Sequence, residues 1–317
     1  MKGVMLDVKS IDRSDINFDS LKSIVTDWQF YDVTAETEVF DRIKGADVVV
    51  TNKVRINQKH LTQSPSLKLI CIAATGTNNV DLKAAQAAGI PVVNVTNYAT
   101  PSVVQHVFCL ILSLLRKLTE YQHAVQDKRW QQSPFFCLLD YPISELSGKT
   151  LGIIGYGVLG KAVAVVGEAF GMKVVVAAHK GAAPSNERLT FEQVLKESDA
   201  ISIHCPLTDD TRNLIGHAEL ALMKANAIII NTARGGIIDE QALASALKTG
   251  QIAGAGVDVL SEEPPVNGNV LLDSEIPNLI VTPHIAWASV ESRQRAVDEI
   301  ALNIKAFLKG EFRNRVC

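Results

Sequence analysis

Short apolar runs rich in β-branched residues alternate with helical stretches almost from end to end of this chain. The runs are ADVVV (46–50), KLICIA (68–73), PVVNV (91–95), TLGIIG (150–155), KVVVAA (173–178), AISIH (200–204), AIIINT (227–232), AGVDVL (255–260) and NLIVTP (278–283). A strand that is apolar along its whole length has both faces buried, and helices between such strands are the crossovers that cover them. The pattern predicts an α/β fold of doubly wound, Rossmann-like parallel sheets. At about 100–200 residues per domain, 317 residues make two domains.

Composition removes several classes of function. Apolar residues make up 47% of the chain and charged ones 21%, which is globular rather than disordered. Thirty-one basic against thirty-four acidic side chains leave no positive excess, so no nucleic-acid partner is expected. The longest apolar run, Val103 to Leu115, is broken by Gln105, His106 and Ser113. It falls short of the ~20 residues that span a bilayer, so no membrane role is expected. The start, MKGVMLDVKS, does not read as a signal peptide. Five scattered cysteines without a CxxC pair suggest neither disulfides nor a metal site. A cytoplasmic protein is the expectation.

A long helical segment follows the run at 91–95. Thr100 reads as its N-cap and Pro101 as its first residue. Its apolar residues, Val103, Val104, Val107, Phe108, Leu110, Ile111, Leu114, Leu115 and Leu118, cover more than one face, so it is buried on several sides. Packing against a second subunit and packing within one core both satisfy that pattern.

Gly155-Tyr156-Gly157-Val158-Leu159-Gly160 directly follows a strand and opens a helix that runs to about Phe170, with Gly171 as its stop. That βαβ context makes the GxGxxG a dinucleotide site. Gly155 permits the turn, Gly157 admits the pyrophosphate, and Gly160 lets helix and strand approach; the helix N-terminus holds the phosphate. Where an acidic residue normally takes the ribose 2′-hydroxyl stands Ala178, followed by His179 and Lys180. Without the carboxylate a 2′-phosphate is tolerated and the two basic neighbours can pair with it. NADP(H), NAD(H) or both are therefore expected as cofactor.

Three more strand ends carry polar residues: Arg234 after AIIINT, Asp258 and Glu263 in and after GVDVL, and His284 after NLIVT. Ligands of an open parallel sheet bind outside the carboxyl ends of its strands. Hydride delivered to a ketone carbon leaves an alkoxide, and His284 can supply the proton. Glu263 beside it favours the imidazolium and orients the ring, and Arg234 grips a carboxylate in bidentate fashion. Asp258 is assigned to the nicotinamide carboxamide or to tuning the His–Glu pair. His204, Pro206, Thr211, Thr232, Ala233 and Ala286 complete the candidate cofactor contacts with Val158 and Leu159. His106, His123 and His217 read as structural or solvated.

Taken together, ATGTNNVDL (74–82), TPSVVQH (100–106), GKTLGIIGYGVLG (148–160), HCPLTDDTRNLI (204–215), NTARGGIIDE (231–240), GVDVLSEEPP (256–265) and TPHIAWAS (282–289) resemble the D-isomer-specific 2-hydroxyacid dehydrogenases. RWQQSPFFCLLDYPISELSGKTLG and Gln105 are most similar to the glycerate dehydrogenase/hydroxypyruvate reductase branch. The resemblance implies Arg234, Glu263 and His284 as the catalytic trio, and a small 2-oxo acid as substrate. It implies that amides around Thr75 and Gly76 hold the substrate carboxylate, with Asn52 and Lys53 near the mouth. It implies a substrate domain of residues 1–99 plus 286–317, a dinucleotide domain of 100–285, closure between them, and a homodimer through the helix near 101–128. The chain ends at Cys317, so the regulatory domain of a 3-phosphoglycerate dehydrogenase is not expected. A nucleotide-sensing corepressor-like scaffold and a dehydrogenase for another 2-hydroxy acid keep the same residues and stay open; turnover separates them.

Overall fold

All nine apolar runs are strands, and two further short ones complete the sheets. The computed structural model describes residues 1–185 and 187–317. The strands are β1 (Lys2–Met5), β2 (Asp27–Phe30), β3 (Val48–Thr51), β4 (Leu69–Ile72), β5 (Val92–Val93), β6 (Thr150–Ile154), β7 (Lys173–Val176), β8 (Ala200–Ile203), β9 (Ile228–Asn231), β10 (Gly254–Val257) and β11 (Leu279–Val281). The helices are α1 (Asp19–Lys22), α2 (Val39–Ile43), α3 (Gln58–Thr62), α4 (Leu82–Ala87), α5 (Thr100–Arg116), α6 (Leu118–Gln126), α7 (Val158–Ala169), α8 (Phe191–Glu197), α9 (His217–Leu220), α10 (Glu240–Lys248) and α11 (Val290–Leu308). Two units result, Met1–Ala99 with Trp287–Cys317, and Thr100–Ala286.

In the first unit the strand order is β2-β1-β3-β4-β5, all parallel. β3 and β4 are buried at every position, which is what an apolar strand under two helical layers requires. β2, DWQF, alternates exposed and half-buried residues at the sheet edge, and so carries no apolar run to read. At the other edge the chain returns: Val316 donates to Val92 O at 2.8 Å and Val92 to Cys317 O at 3.4 Å. α11 packs against β4 and α1.

In the second unit the order is β11-β10-β9-β8-β6-β7, again all parallel. Successive strands pass to opposite sides of β6, so the sheet's direction of growth reverses between β6 and β8. A crevice opens at such a point, outside the carboxyl ends of the strands. Side-chain caps start several crossovers. Thr190 accepts from Gln193 N at 3.1 Å while Gln193 Oε1 accepts from Thr190 N, a reciprocal cap for α8. Asp239 does the same one-sidedly for α10.

The long helix differs from expectation at both ends. Thr100 is its first residue rather than its cap. It also stops at Arg116, because Lys117 takes a left-handed φ of +53°, and α6 leaves at 59°. The ammonium of Lys117 donates to Asn278 Oδ1 at 2.6 Å, which holds the break. α5 buries Val103, Val104, Val107, Phe108, Leu110, Ile111 and Leu114 against α7, β9 and β10. Leu118 and then Trp130, Phe135, Phe136 and Leu139 are exposed. Among the described residues no single helix is long and apolar enough to cross a membrane.

Candidate active site

The glycine loop joins β6 to α7 at the crevice. Gly155 has φ +94°, and a β-carbon there would lie 2.5 Å from the backbone nitrogen of Cys205, so only glycine makes this turn beside the end of β8. Gly157 is exposed and faces open space. It is also the N-cap of α7, with no side-chain cap bond, so the helix amides point outward uncapped. Two buried polar atoms near these strand ends have no protein partner, His204 Nδ1 after β8 and Thr232 Oγ1 after β9. His204 Nε2 meets Ser202 Oγ at 2.8 Å, and burial pushes its pKa down to about 4, so the ring is neutral at pH 7. An uncapped helix N-terminus flanked by orphaned polar atoms fits a dinucleotide.

His284 follows β11 with φ +55°, a left-handed conformation that a residue with a β-carbon adopts only when held. The holder is Asp258, buried at the end of β10. His284 N donates to Asp258 O at 2.8 Å, and Ile285 N and Ala286 N donate to its two carboxylate oxygens at 2.9 Å each. Thr282 Oγ1 donates to Asp258 Oδ1 at 2.5 Å. Ser102 on α5 donates to Ala286 O at 2.7 Å. The Asp258 carboxylate is thus engaged by three protein donors. His106, also on α5, reaches Thr282 Oγ1 at 3.0 Å, which makes it the structural of the two alternatives its sequence left.

Glu263 and His284, 21 positions apart, meet directly: Nδ1 lies 2.6 Å from Glu263 Oε2, with both side chains partly exposed. The other oxygen accepts from Leu260 N at 2.9 Å, so the carboxylate cannot rotate away. A carboxylate only accepts, so Nδ1 carries the proton and Nε2 is the nitrogen that exchanges one. Arg234 sits on the neighbouring loop after β9. Asn231 braces that loop through Arg234 O at 2.9 Å and Ala233 N at 3.0 Å. The exposed guanidinium turns back on Ala233 O at 2.6 Å. Thr211 Oγ1 donates to Pro206 O at 2.7 Å and shapes the turn after His204. His179 and Lys180 are exposed after β7, but Lys180 Nζ is paired with Glu219 Oε1 at 2.8 Å. Val158 is exposed and Leu159 half-buried at the start of α7.

Asn52, Lys53, Thr75 and Gly76 lie in the first unit, after β3 and β4. The buried carboxylate of Asp7, at the end of β1, accepts from Asn52 N at 2.9 Å and Lys53 N at 2.7 Å, and burial raises its pKa. Thr75 Oγ1 donates to Val95 O at 2.9 Å, and Asn94 Nδ2 donates to Thr75 O at 2.8 Å. Asp7 escaped sequence reasoning because β1 did; an acid two residues past a strand was the available signal. Among the described residues, no cluster of His, Cys, Asp or Glu is arranged to hold a metal, and all five cysteines are free thiols.

Residues 108–286 match the family described as D-isomer specific 2-hydroxyacid dehydrogenase, NAD binding domain. A glycerate dehydrogenase of Methylorubrum extorquens is 46% identical over 316 residues, 99% of this chain and 98% of that protein. A hydroxypyruvate reductase of Blautia hydrogenotrophica is 39% identical over 317 residues, 98% of each. An acyclic imino acid reductase solved with NADPH and D-Arg superposes with a TM-score of 0.84 at 28% identity, covering all of both chains. The chain therefore belongs to the D-isomer-specific 2-hydroxyacid dehydrogenases and is an NAD(P)-dependent oxidoreductase of that family.

Proposed function

We propose that the protein reduces hydroxypyruvate or glyoxylate to the D-2-hydroxy acid, with His284 as proton donor. The observation that carries the proposal is the 2.6 Å contact between His284 Nδ1 and a Glu263 carboxylate whose second oxygen is itself bound. The contact orients the ring, which passes its Nε2 proton to the forming alkoxide. A reduced dinucleotide with its pyrophosphate at the glycine loop would supply the hydride. Arg234, permanently charged, leaves Ala233 O to take the substrate carboxylate through its planar fork and to polarise the ketone. Asn52, Lys53, Thr75 and Gly76 remain the further candidates for substrate contacts, and Asp7 fixes the amides of the first two.

We propose further that NADPH is accepted alongside NADH. Ala178 sets no carboxylate against a 2′-phosphate, while Lys180 must exchange Glu219 for it. The exposed apolar side chains from Leu118 to Leu139 support a homodimer through the region near 101–128. Replacing Phe136 by Ser should then lower the mass measured by sedimentation.

The test is a panel of 2-oxo acids with NADPH and NADH, read at the nicotinamide absorbance, beside His284→Gln. Turnover of hydroxypyruvate or glyoxylate, lost by ~10²–10⁴ in the variant with cofactor affinity intact, is the expected result. Unchanged turnover in the variant would refute the role of His284.

A further inference from the structure

We propose that His106 is a positioning residue for the His284 turn, acting through the side chains of Thr282 and Asp258. The inference rests on His284 being the proton donor. His106 Nε2 lies 3.0 Å from Thr282 Oγ1 and 3.5 Å from Asp258 Oδ1, and its side chain is 17% exposed. A threonine hydroxyl has one proton, and an ionised carboxylate can only accept. The Thr282 proton therefore goes to Asp258 Oδ1, at 2.5 Å, and the Thr282 oxygen accepts from His106. That assignment fixes His106 as the tautomer protonated on Nε2 and orders the chain as imidazole N–H, hydroxyl, carboxylate.

What the chain ends on gives it a function. Asp258 binds three consecutive amides, those of His284, Ile285 and Ala286, and so sets the backbone that aims the His284 ring. The carboxylate can hold two of those amides only while its own orientation is fixed. Thr282 fixes it from one side, and His106 fixes Thr282. Position 106 lies one turn on from Ser102, which itself donates to Ala286 O at 2.7 Å, among the packing residues Val103, Val107, Leu110 and Ile111. An aliphatic or aromatic residue would serve that packing, and the imidazole adds a donor directed at the turn.

The experiment compares His106→Phe, His106→Gln, Thr282→Val and the double variant His106→Phe/Thr282→Val in the full-length protein. His106→Phe should lower kcat about tenfold, the worth of one hydrogen bond to a polar network, while cofactor KM and melting temperature hold. His106→Gln, whose amide can donate near the imidazole Nε2 position, should recover most of that loss. Thr282→Val leaves α5 untouched, so it reports even if His106→Phe folds poorly; it should lose kcat to a similar extent. The double variant should be no slower than the slower single one, because both break the same chain. Wild-type kcat in Thr282→Val, or additive losses in the double variant, would overturn the proposal. Inactive His284→Gln with wild-type His106→Phe refutes this inference alone, whereas fully active His284→Gln refutes the proton-donor reading beneath it.

Discussion

A methyl group added at Gly157 would meet no atom within 4 Å, on a backbone already extended at φ −83° and ψ −159°. Gly157→Ala should therefore fold as the wild type does. Its cost should fall on the cofactor, whose pyrophosphate must approach this backbone to reach the α7 amides. Loss of one charge-assisted hydrogen bond, about 1.5–3 kcal/mol, corresponds to a dissociation constant weakened roughly 10- to 150-fold. Gly160→Ala is the opposite case. Its β-carbon would sit 2.2 Å from Gly155 O and 3.1 Å from Ile153 Cγ2, and a backbone oxygen cannot step aside. Overpacking of this kind costs about 1–3 kcal/mol. For a unit of residues 100–286, ~2–4 °C per kcal/mol makes that a melting temperature roughly 2–12 °C lower. Thermal melts and fluorescence titrations with NADH and NADPH read the two effects separately. Wild-type cofactor affinity in Gly157→Ala, or a melting temperature as low as that of Gly160→Ala, would refute the reasoning.

Three further variants test other parts of the molecule. Arg234→Lys keeps the charge but loses the fork, so KM for the 2-oxo acid should rise sharply and kcat fall in steady-state assays. Arg293 donates to both oxygens of Asp15, at 2.7 and 2.8 Å, and holds its carboxyl at about 2 against a usual 3.8. The folded-state pKa is the lower one, so this pairing stabilises above pH 3.8 and is lost as pH falls toward 2. Asp15→Asn should thus melt below wild type at neutral pH and converge with it at the acid end. Glu219→Gln releases the Lys180 ammonium while an amide oxygen can still accept from Gly216 N, so kcat/KM should rise for NADPH relative to NADH. An unchanged cofactor ratio would show that Lys180 does not meet the 2′-phosphate.

The parts of this molecule that were legible in the sequence are those whose causes are local. Nine strands announced themselves because a parallel strand between helical layers is apolar along most of its length, as ICI in β4 and III in β9 are. β1 and β2 did not, since KGVM is short and opens on a lysine, and DWQF lies at an edge with half its residues in solvent. Glu263 and His284 could be paired from sequence because each stands just past a strand end in one sheet. The partners of Asp258 could not: His106 meets Thr282 from 176 positions away, and only the packing of α5 on β10 brings them together. Lys180 read as a cation awaiting phosphate, and the carboxylate that occupies it comes from α9, 39 positions on. The break at Lys117 has neither glycine nor proline to signal it, only an asparagine 161 positions later.

The first unit is interrupted in sequence by the whole of the second, and its β5 edge is closed by residues 314–317. A ribosome therefore releases a complete six-stranded sheet while the five-stranded one still lacks α11 and its closing segment. The inserted half can fold during synthesis, whereas the flanking half waits with β5 unprotected, an edge open to pairing with any neighbouring nascent chain. Truncating the last few residues would leave that edge bare permanently, and self-association of the newly made protein is the cost to look for.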